Sequence, residues 1–400
     1  MIKNANEKKM NILVVSQNYY PEQFRINDIC KELVIMGNDV TVLTGQPNYP
    51  QGVIYPGYEH NKKSFEIIDG VKIHRVHERP RGNGGALNLF LNYYSFVRSS
   101  KKFVKKLGEN FDVVFVNQTS PIMQAKAALK YKKIYGTKVV LYCLDLWPAS
   151  LSAGGVSAKN PVYKVYKKIS QRIYGAVDKI LISSKMFKTY LVQELGIDAT
   201  KINYLPQYAE SIFEKVNFKS NNDKLFNFVF AGNVGKMQSV ETIVKCARIL
   251  KNEPIKFHIV GGGSALEDCK LLSRGLDNVL FYGQLPLEEM PKFYEIADAM
   301  LVSLKDDDLI SYTLPGKVQT YMSAGKPIIA SGKNELKNII EESQCGFCAC
   351  PENPVELAKV IKKFMAYKDK SYLAKNSRNY YEQNFKKEKI LENLVKELEE

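Results

Sequence analysis

The sequence lacks any long apolar segment. No window approaches the roughly eighteen uninterrupted apolar residues that a membrane-spanning helix needs. The first ten residues, MIKNANEKKM, also lack the apolar stretch of a signal peptide. We therefore expect a protein that is soluble or attached to a membrane only at its surface.

Cysteine is present, but not in a pattern that indicates disulfides or zinc. The seven cysteines are scattered through apolar stretches, and an odd number in a chain of this length does not form a disulfide framework. This favours a reducing, cytoplasmic location. Cys345, Cys348 and Cys350 have a metal-like spacing, but no second Cys or His cluster completes a tetrahedral site. A buried turn is the preferred interpretation of these three residues.

A dinucleotide fingerprint is also absent. The turn from Ser16 to Asn27, after the first predicted strand, has no G-x-G-x-x-G pattern, so a nicotinamide-dependent oxidoreductase is disfavoured. This turn enters a helix, and a helix N-terminus offers unpaired N–H groups to anions. We predict that Arg25 and Asn27 contact phosphate or sugar; capping and surface roles are the alternative.

Acidic residues are scarce in the first half only. Residues 1–205 carry 30 Lys and Arg against 15 Asp and Glu, and the remainder carries 27 of each, so the net charge of +15 belongs to the N-terminal half. The segment Leu87–Leu107 places Leu, Phe and Tyr at helical spacing before Arg98 and four lysines. Such a helix can lie in a membrane interface, where each basic residue contributes about 1 kcal/mol. The alternative is a half-buried core helix with a solvated basic face. Nucleic acid is disfavoured as a partner because no recognisable nucleic-acid module is present.

Apolar β-branched runs alternate with helical patterns along the chain, which predicts parallel sheets flanked by helices. We expect an N-terminal Rossmann-like domain over 1–205, a linker over 206–224, a second Rossmann-like domain over 225–385 and a C-terminal helix over 386–400 that either is solvated or packs back on the first domain. Because open parallel sheets bind ligands beyond the carboxyl ends of their strands, two such domains predict a cleft between them. The predicted strands are Asn11–Ser16, Asp39–Thr44, Val71–Val76, Val113–Asn117, Lys138–Cys143, Lys179–Ser183, Phe226–Ala231, Ile255–Val260, Val279–Tyr282, Ala299–Ser303 and Pro327–Ala330.

The segment YCLDLWP, residues 142–148, contains the only tryptophan of the chain. Asp145 follows a predicted strand, where a parallel sheet exposes its functional loops. A carboxylate can bind sugar hydroxyls while an aromatic ring covers the apolar face of the sugar. We therefore predict sugar-binding roles for Asp145 and Trp147; a helix-capping Asp145 with Trp147 in the core is the alternative.

Two segments of the second half predict a diphosphate site. Gly261, Gly262, Gly263 and Ser264 lie between a strand and a helix, where glycines allow a ligand to approach the backbone. Pro315, Gly316 and Lys317 open a helix, so backbone N–H groups and an ammonium could meet one diphosphate. A metal at the nearby Asp306–Asp308 run is disfavoured against a solvated loop.

From about Met10 to Phe385 the chain resembles the family-four glycosyltransferases of the GT-B fold, especially those that build bacterial capsule or O-antigen units. The similarity rests on five ordered segments: NILVVSQNYYPEQFRINDICKEL with GNDVTVLTGQPNYPQG, LYCLDLWPAS, FVFAGNVGKMQSVETIVKCARIL, FHIVGGGSALEDC and LPGKVQTYMSAGKPIIAS. The resemblance implies two Rossmann-like domains, transfer of sugar from a nucleotide-diphospho-sugar with retention of configuration, and no catalytic metal or other cofactor. It also implies donor binding in the second domain, including Gly232 of the third segment, and acceptor binding in the first.

The chain departs from the family pattern at several positions. The two usual glutamates fall on Tyr312 and Thr320, and the usual Arg and Lys of the second domain fall on Asn233 and Gln238. We therefore expect Lys317, assisted by Lys236, to supply the positive charge for the diphosphate. A histidine that is often found in the first domain falls near Asn117, which cannot act as a base but could contact the acceptor.

These inferences predict a peripheral membrane enzyme at the cytoplasmic face of the cell membrane. We expect it to move sugar from a nucleotide sugar, with UDP favoured as the nucleotide, to a lipid-diphosphate-linked glycan, with Lys317 and Asp145 as catalytic residues. The competing hypothesis is a non-catalytic protein that binds a sugar nucleotide or a glycan within a biosynthetic complex, which the two missing glutamates would suit.

Overall fold

The computed structural model describes residues 9–108, 110–153, 155–216 and 225–400. They form two compact α/β units. The first unit runs through Ser183 and adds Phe187–Leu205 and Leu391–Glu400; the second contains Ser184–Met186 and Pro206–Ile390. Within the described ranges, no helix is both long enough and apolar enough to cross a bilayer.

The first unit is built on an eight-stranded sheet of order β3-β4-β2-β1-β5-β6-β7-β8, which is parallel except for the β3–β4 pair. Its strands are β1 Asn11–Val15, β2 Asp39–Thr44, β3 Phe65–Ile68, β4 Val71–Arg75, β5 Val113–Gln118, β6 Lys138–Cys143, β7 Lys179–Ile182 and β8 Ile202–Tyr204. Its helices are α1 Arg25–Ile35, α2 Ala86–Phe103, α3 Lys126–Tyr135, α4 Ala149–Ala153, α5 Pro161–Ala176 and α6 Phe187–Gln193.

Six of these eight strands match strands expected from the sequence, and β3 and β8 were missed. β3 is an edge strand on which Phe65 and Ile67 are exposed, so it lacks the buried apolar run that marks the inner strands. β8 has only three residues, too few for a pattern to show.

The second unit has a six-stranded, wholly parallel sheet of order β11-β10-β9-β12-β13-β14. Its strands are β9 Phe226–Ala231, β10 Ile255–Val260, β11 Val279–Gly283, β12 Ala299–Ser303, β13 Ile328–Ser331 and β14 Gly346–Ala349. Its helices are α7 Val240–Ile249, α8 Leu266–Leu272, α9 Met290–Ile296, α10 Gly316–Ser323, α11 Glu335–Ser343, α12 Pro354–Ala366 and α13 Lys370–Asn384, followed by α14 Lys387–Glu399.

Alternate residues of β9 supply both cores of the second unit. Phe228 and Phe230 pack into one apolar cluster, and Val229 and Ala231 pack into the other. This follows from the two-residue period of a strand, because successive side chains point to opposite faces of the sheet. Helices therefore cover both faces, and the loops at the carboxyl ends of the strands remain available to a ligand.

Residues 206–216, expected to begin a linker, belong to the second unit. Ala209, Phe213 and Val216 are buried in its core because the segment turns through a short 3-10 helix at Ser211–Lys215. The rest of the expected linker, residues 217–224, lies outside the described residues.

The end of α14 belongs to the first unit. Lys179 pairs with Glu397 at 2.7 Å, and both carboxylate oxygens of Glu397 accept hydrogen bonds from the side chain of Asn203. Leu391, Leu394, Val395 and Leu398 are buried as well. The amphipathic pattern of this helix is therefore satisfied by packing on the first unit.

Candidate functional site

A pocket of about 530 Å³ lies within the second unit, at the carboxyl ends of β9, β10 and β11. Gly232 and Asn233 follow β9, Gly261 and Gly262 follow β10, and Gln284 follows β11. Strand order reverses between β9 and β12, so the pocket lies at the point of the sheet where open parallel folds bind their ligands.

The pocket lining contains one cation, Lys317, and one acidic residue, Glu210. The Nζ of Lys317 is buried and has no hydrogen-bond partner among the described residues. The Nζ lies 3.7 Å from the centre of the Phe230 ring, a cation–π contact that replaces only part of the lost hydration. Burial lowers the pKa of Lys317 to about 7. An ammonium held in this way strongly favours an anionic ligand, because an anion would restore the missing electrostatic partner.

The glycines around Lys317 are required by the close approach of two loops. Gly261 has φ +141°, and a Cβ there would lie 1.8 Å from the carbonyl oxygen of Gly232. Gly263 has φ +153°, and a Cβ there would lie 2.4 Å from the carbonyl oxygen of Val234. The run of glycines therefore lets the β9 and β10 loops pack backbone to backbone at the pocket.

Helix α10 is fixed against the end of β9. The Tyr321 hydroxyl donates to the carbonyl oxygen of Ala231 at 3.0 Å and accepts from its N–H at 2.9 Å. Pro315 is the N-cap, and no described side chain caps the first turn, so the N–H groups of Gly316 and Lys317 are left for a ligand or solvent. The helix start and the Lys317 ammonium thus belong to one rigidly anchored element.

The structure brings together only part of the predicted donor site. Gly232, Asn233, Gly261, Gly262, Lys317 and Thr320 line the pocket. Gly263, Ser264, Pro315 and Gly316 flank it in the chain without lining it. Lys236 is exposed and does not line it, and Gln238 reaches it only by accepting a 3.3 Å hydrogen bond from Asn233. Thr320 donates its hydroxyl to the carbonyl oxygen of Gly316 at 3.2 Å.

Sequence reasoning missed other residues of this pocket. Gln284 follows β11 directly, so the strand-end argument applied to β9 and β10 would have found it. Glu210 and Phe213 come from the segment interpreted as a linker. Leu285, Leu287, Met290 and Tyr294 complete an apolar wall, which suits a flat ring better than a phosphate.

In the first unit, Asp145 and Trp147 meet at one hydroxyl-bearing residue. Asp145 accepts the backbone N–H of Ser120 at 2.9 Å, and the Trp147 indole donates to the Ser120 hydroxyl at 2.8 Å. Burial raises the pKa of Asp145, and the hydrogen bonds from Ser120 partly oppose this. Trp147 is buried, as the core alternative has it, and its ring contacts Tyr166 edge-on at 5.5 Å.

Arg25, Asn27 and Asn117 lie at the carboxyl edge of the same sheet. Arg25 begins α1. Burial raises the pKa of Tyr142 on β6, and the nearby positive charge of Arg25 partly opposes this increase. Asn27 donates to the carbonyl oxygen of Glu22 at 2.7 Å, and its own side-chain oxygen is buried with no partner in the described part of the chain. Asn117 is buried at the end of β5 and donates to the Ser16 hydroxyl at 3.2 Å.

A buried carboxyl at this edge was not anticipated. Glu78 follows β4, is 1% exposed and accepts hydrogen bonds from Gln17, Asn48 and Asn92. Its second oxygen has no partner among the described residues. Burial raises the pKa of Glu78 to about 8, so the carboxyl is mainly protonated at neutral pH.

Two segments considered for metal binding have other contacts. Lys333 pairs with Asp306 at 2.7 Å and with Asp308 at 2.6 Å. Cys345 is buried, Cys348 lies on β14 and Cys350 is exposed. The described residues contain no group of three or more His, Cys, Asp or Glu side chains arranged to hold a metal ion.

The predicted interfacial segment Leu87–Leu107 forms α2 as far as Phe103. One face buries Asn92, Phe96 and Ser100. Leu87, Phe90 and Tyr94 remain exposed at 70%, 50% and 54% on the outer face. The helix therefore combines a core face, as in the alternative interpretation, with an exposed apolar stripe that leads to the basic end.

Two protein-family descriptions match this chain. Residues 24–207 match Glycosyltransferase Family 4, and residues 211–387 match Glycosyl transferases group 1. WbjE of Pseudomonas aeruginosa, named as a glycosyltransferase, is 26% identical over 286 residues, which are 68% of this chain and 70% of WbjE. WcaI of Escherichia coli (strain K12), named as a colanic acid biosynthesis glycosyl transferase, is 24% identical over 97% of this chain and all of WcaI.

Solved structures share the fold across almost the whole chain. Sucrose-phosphate synthase from Thermosynechococcus elongatus has a TM-score of 0.76 at 17% identity and covers 97% of this chain and 98% of its own. HepE from Anabaena, solved with UDP and glucose, has a TM-score of 0.70 at 14% identity, and the match covers 97% of this chain and 99% of HepE. At these identities the likeness shows the fold, which is a two-domain α/β arrangement with mostly parallel sheets.

Proposed function

Because the chain belongs to the family-four glycosyltransferases of the GT-B fold, we propose that it is a retaining, metal-independent enzyme that transfers a sugar from a UDP-sugar to a lipid-diphosphate-linked glycan. The pathway we propose is the biosynthesis of a capsule, O-antigen or exopolysaccharide. The name of WcaI supports a polysaccharide pathway, and the presence of UDP in the HepE crystal structure supports UDP as the nucleotide.

The buried Nζ of Lys317 carries the donor assignment. It has no partner among the described residues, it borders the pocket, and its pKa is lowered by burial, so an anionic ligand is the missing counterpart. The diphosphate of the donor supplies two negative groups of the right kind. The apolar wall formed by Leu285 and its neighbours suits the base of the nucleotide.

Lys317 then stabilises the leaving group. As the sugar–phosphate bond breaks, negative charge grows on the terminal phosphate of UDP. A preorganised ammonium and the first N–H groups of α10 are aimed at that charge, and they need not reorganise during the reaction. A donor-bound diphosphate also raises the pKa of Lys317 above its unliganded value, because an opposite charge favours the protonated form.

We assign the acceptor to the first unit. Asp145 lies at the carboxyl end of β6 and is held by the backbone N–H of Ser120. In this proposal its carboxylate orients a hydroxyl of the acceptor sugar. Arg25, Asn27, Asn117 and Trp147 lie at the same sheet edge and define the surroundings of that sugar.

We assign membrane attachment to α2. Its exposed Leu87, Phe90 and Tyr94 would enter the interface, while Lys101 and Lys102 at its end would meet anionic headgroups. We propose that the enzyme works at the cytoplasmic face of the membrane, where its lipid-linked acceptor would be present.

A donor panel tests the proposal. The purified enzyme is mixed with UDP-, GDP- and TDP-sugars, and both binding and slow hydrolysis to free sugar are measured. We expect micromolar to millimolar binding of at least one UDP-sugar, with slow release of sugar to water. Absence of binding to every donor would overturn the donor assignment. Binding without hydrolysis or transfer would favour the non-catalytic alternative.

A further inference from the structure

A second, apolar pocket of about 140 Å³ lies in the first unit between α2, α3 and α5. Four aromatic rings form most of its wall: Phe90, Tyr93, Tyr94 and Tyr166. The remaining lining consists of three aliphatic side chains and one cation, Lys126. Apart from the hydroxyls of its three tyrosines and the ammonium of Lys126, the wall consists of apolar surfaces, which suit a hydrocarbon chain.

The pocket continues into exposed apolar stripes on two of its helices. On α2, Leu87, Phe90 and Tyr94 recur at helical spacing, and all three are at least half exposed. On α5, Val162 and Val165 are 51% and 57% exposed and precede the pocket residue Tyr166. Contiguous exposed apolar surface of this kind marks a binding surface rather than ordinary scatter.

Lys126 gives the pocket its charge preference. It is half-buried among aromatic rings, and within the described part of the chain the structure gives it no hydrogen bond and no salt bridge. Burial lowers its pKa, and the nearby ammonium of Lys101 lowers it further. Two cations lie beside an apolar pocket, and no carboxylate of the described residues pairs with Lys126, so the pocket complements a ligand with an anionic head and an apolar chain.

The pocket also adjoins the predicted acceptor site. Tyr166 contacts Trp147 edge-on at 5.5 Å, and Trp147 shares Ser120 with Asp145. On the other side of the pocket, the ring centre of Tyr93 lies 5.7 Å from the guanidinium of Arg81, whose Nε is buried and has no partner among the described residues. A chain seated in the pocket would therefore bring its head close to the residues assigned to the acceptor sugar.

We propose that this pocket binds the phosphate-proximal segment of a lipid diphosphate, the carrier of the acceptor, with Lys126 pairing with its diphosphate. The inference rests on the proposed function and deepens it, because it assigns the lipid of the acceptor to named residues. The occupant is an anionic lipid rather than a neutral one because the pocket joins an apolar wall to the ammonium of Lys126.

Farnesyl diphosphate is the probe, and the fluorescence of Trp147 is the readout. Trp147 is the only tryptophan of the chain and contacts a residue of the pocket wall, so it reports directly on occupancy. We titrate farnesyl diphosphate, farnesol and inorganic diphosphate into the full-length protein with UDP present. We expect farnesyl diphosphate to bind at least tenfold more tightly than either of the other two compounds.

Three variants separate charge from chain recognition. Lys126→Met should weaken the binding of farnesyl diphosphate at least tenfold and leave the binding of farnesol unchanged. Phe90→Ser should weaken the binding of both farnesyl diphosphate and farnesol, because both carry the apolar chain. Lys133→Met, on the exposed side of the same helix, is the matched control and should bind like the parent. Thermal unfolding of each variant confirms that it folds, and a Lys317→Met variant with parental farnesyl diphosphate affinity excludes binding in the second unit.

Equal binding of farnesol and farnesyl diphosphate, or parental affinity in both Lys126→Met and Phe90→Ser, would overturn the inference. Failure of the proposed function gives a different result, since no nucleotide sugar would then be bound or hydrolysed by the parent. If donor hydrolysis is intact while these variants bind the probe like the parent, only the lipid site is wrong.

Discussion

The carboxyl edges of the two sheets bury ionisable groups of opposite type, a lysine in the second unit and carboxyls in the first. In the second unit the edge holds a cation, Lys317, whose buried Nζ has no partner among the described residues and whose pKa falls to about 7. In the first unit the edge holds carboxyls such as Glu78 and Asp145, whose pKa values are raised by burial. Side-chain amides and backbone N–H groups, rather than cations, supply their hydrogen bonds.

This difference indicates what each edge is suited to bind. An uncompensated ammonium costs folding free energy, and binding of an anion offsets that cost, which suits a diphosphate. A protonated Glu78 among side-chain amides offers hydrogen-bond donors and acceptors without a net charge, which suits the hydroxyls of a sugar. The same type of sheet therefore presents different chemistry at its strand ends in the two units, as the proposed donor and acceptor sites require.

The largest expected effect is that of Lys317→Met. Turnover should fall by about 100-fold or more, because an electrostatic contact to the leaving group is lost. Thermal stability should be equal or higher, because a buried unpaired charge is replaced by an apolar side chain of similar length. Steady-state rates and thermal unfolding measure the two quantities, with Lys270→Met as the exposed control. A turnover within twofold of the parent would remove Lys317 from the mechanism.

The pH dependence of UDP binding sharpens the same assignment. Without ligand, Lys317 is mostly neutral above about pH 7, whereas the bound diphosphate requires the ammonium. Binding above pH 7 must therefore take up a proton, and UDP affinity should fall by up to about tenfold per pH unit. Calorimetry in buffers of different ionisation enthalpy measures the uptake. Lys317→Met should abolish it, and a parental slope in that variant would assign the proton to another group.

Gly261→Ala tests the packing of the two donor loops. The new Cβ would collide with the carbonyl oxygen of Gly232, so the loops must separate. We expect UDP to bind at least tenfold more weakly and the free energy of unfolding to fall by about 2–3 kcal/mol. Gly275→Ala is the matched control, since it also has positive φ but nothing within 4 Å of the new Cβ. It should lose about 1 kcal/mol at most and keep UDP affinity; equal UDP affinity in both variants would separate Gly261 from the donor site.

Much of this fold was predictable because apolar periodicity marks buried strands. Three strands were missed: β3 is an exposed edge strand, β8 has only three residues, and β14 has four residues, none of them β-branched. The residues that follow β9 and β10 were found for the same reason, since strand ends are fixed by the pattern. Glycines and the lysine at a helix start also carry a local chemical signature.

The rest of the candidate site depends on contacts between distant segments. Glu210 enters the donor pocket because Phe213 is buried in the core nearby, which a polar stretch does not suggest. Glu78 is buried among amides from three separate parts of the chain. Lys236 has the right charge near the right strand, yet it is exposed outside the pocket. In each case tertiary packing, not residue type, decides the role.

The smallest effect on activity is expected for Glu78, which changes the dependence of stability on pH in the direction opposite to Lys317. The pKa of Glu78 rises from its ordinary value of 4.5 to about 8 in the folded protein. Folding therefore holds a proton that the unfolded chain releases, and this contribution to stability is lost as pH rises from about 4.5 to 8. Glu78→Gln removes the titration, so the stability of the variant relative to the parent should rise with pH between about 4.5 and 8, by up to about 1.4 kcal/mol per pH unit. Lys317 has the opposite effect: its contribution to stability increases as pH rises between its folded pKa of about 7 and its ordinary value of 10.5. Lys317→Met should therefore remove an increase of stability with pH, whereas Glu78→Gln should remove a decrease. Urea unfolding across pH 5–9 measures both, with the exposed Glu288→Gln as control. If the difference in free energy of unfolding between Glu78→Gln and the parent does not change with pH, Glu78 is not a protonated carboxyl that distinguishes the sheet edge of the first unit from that of the second.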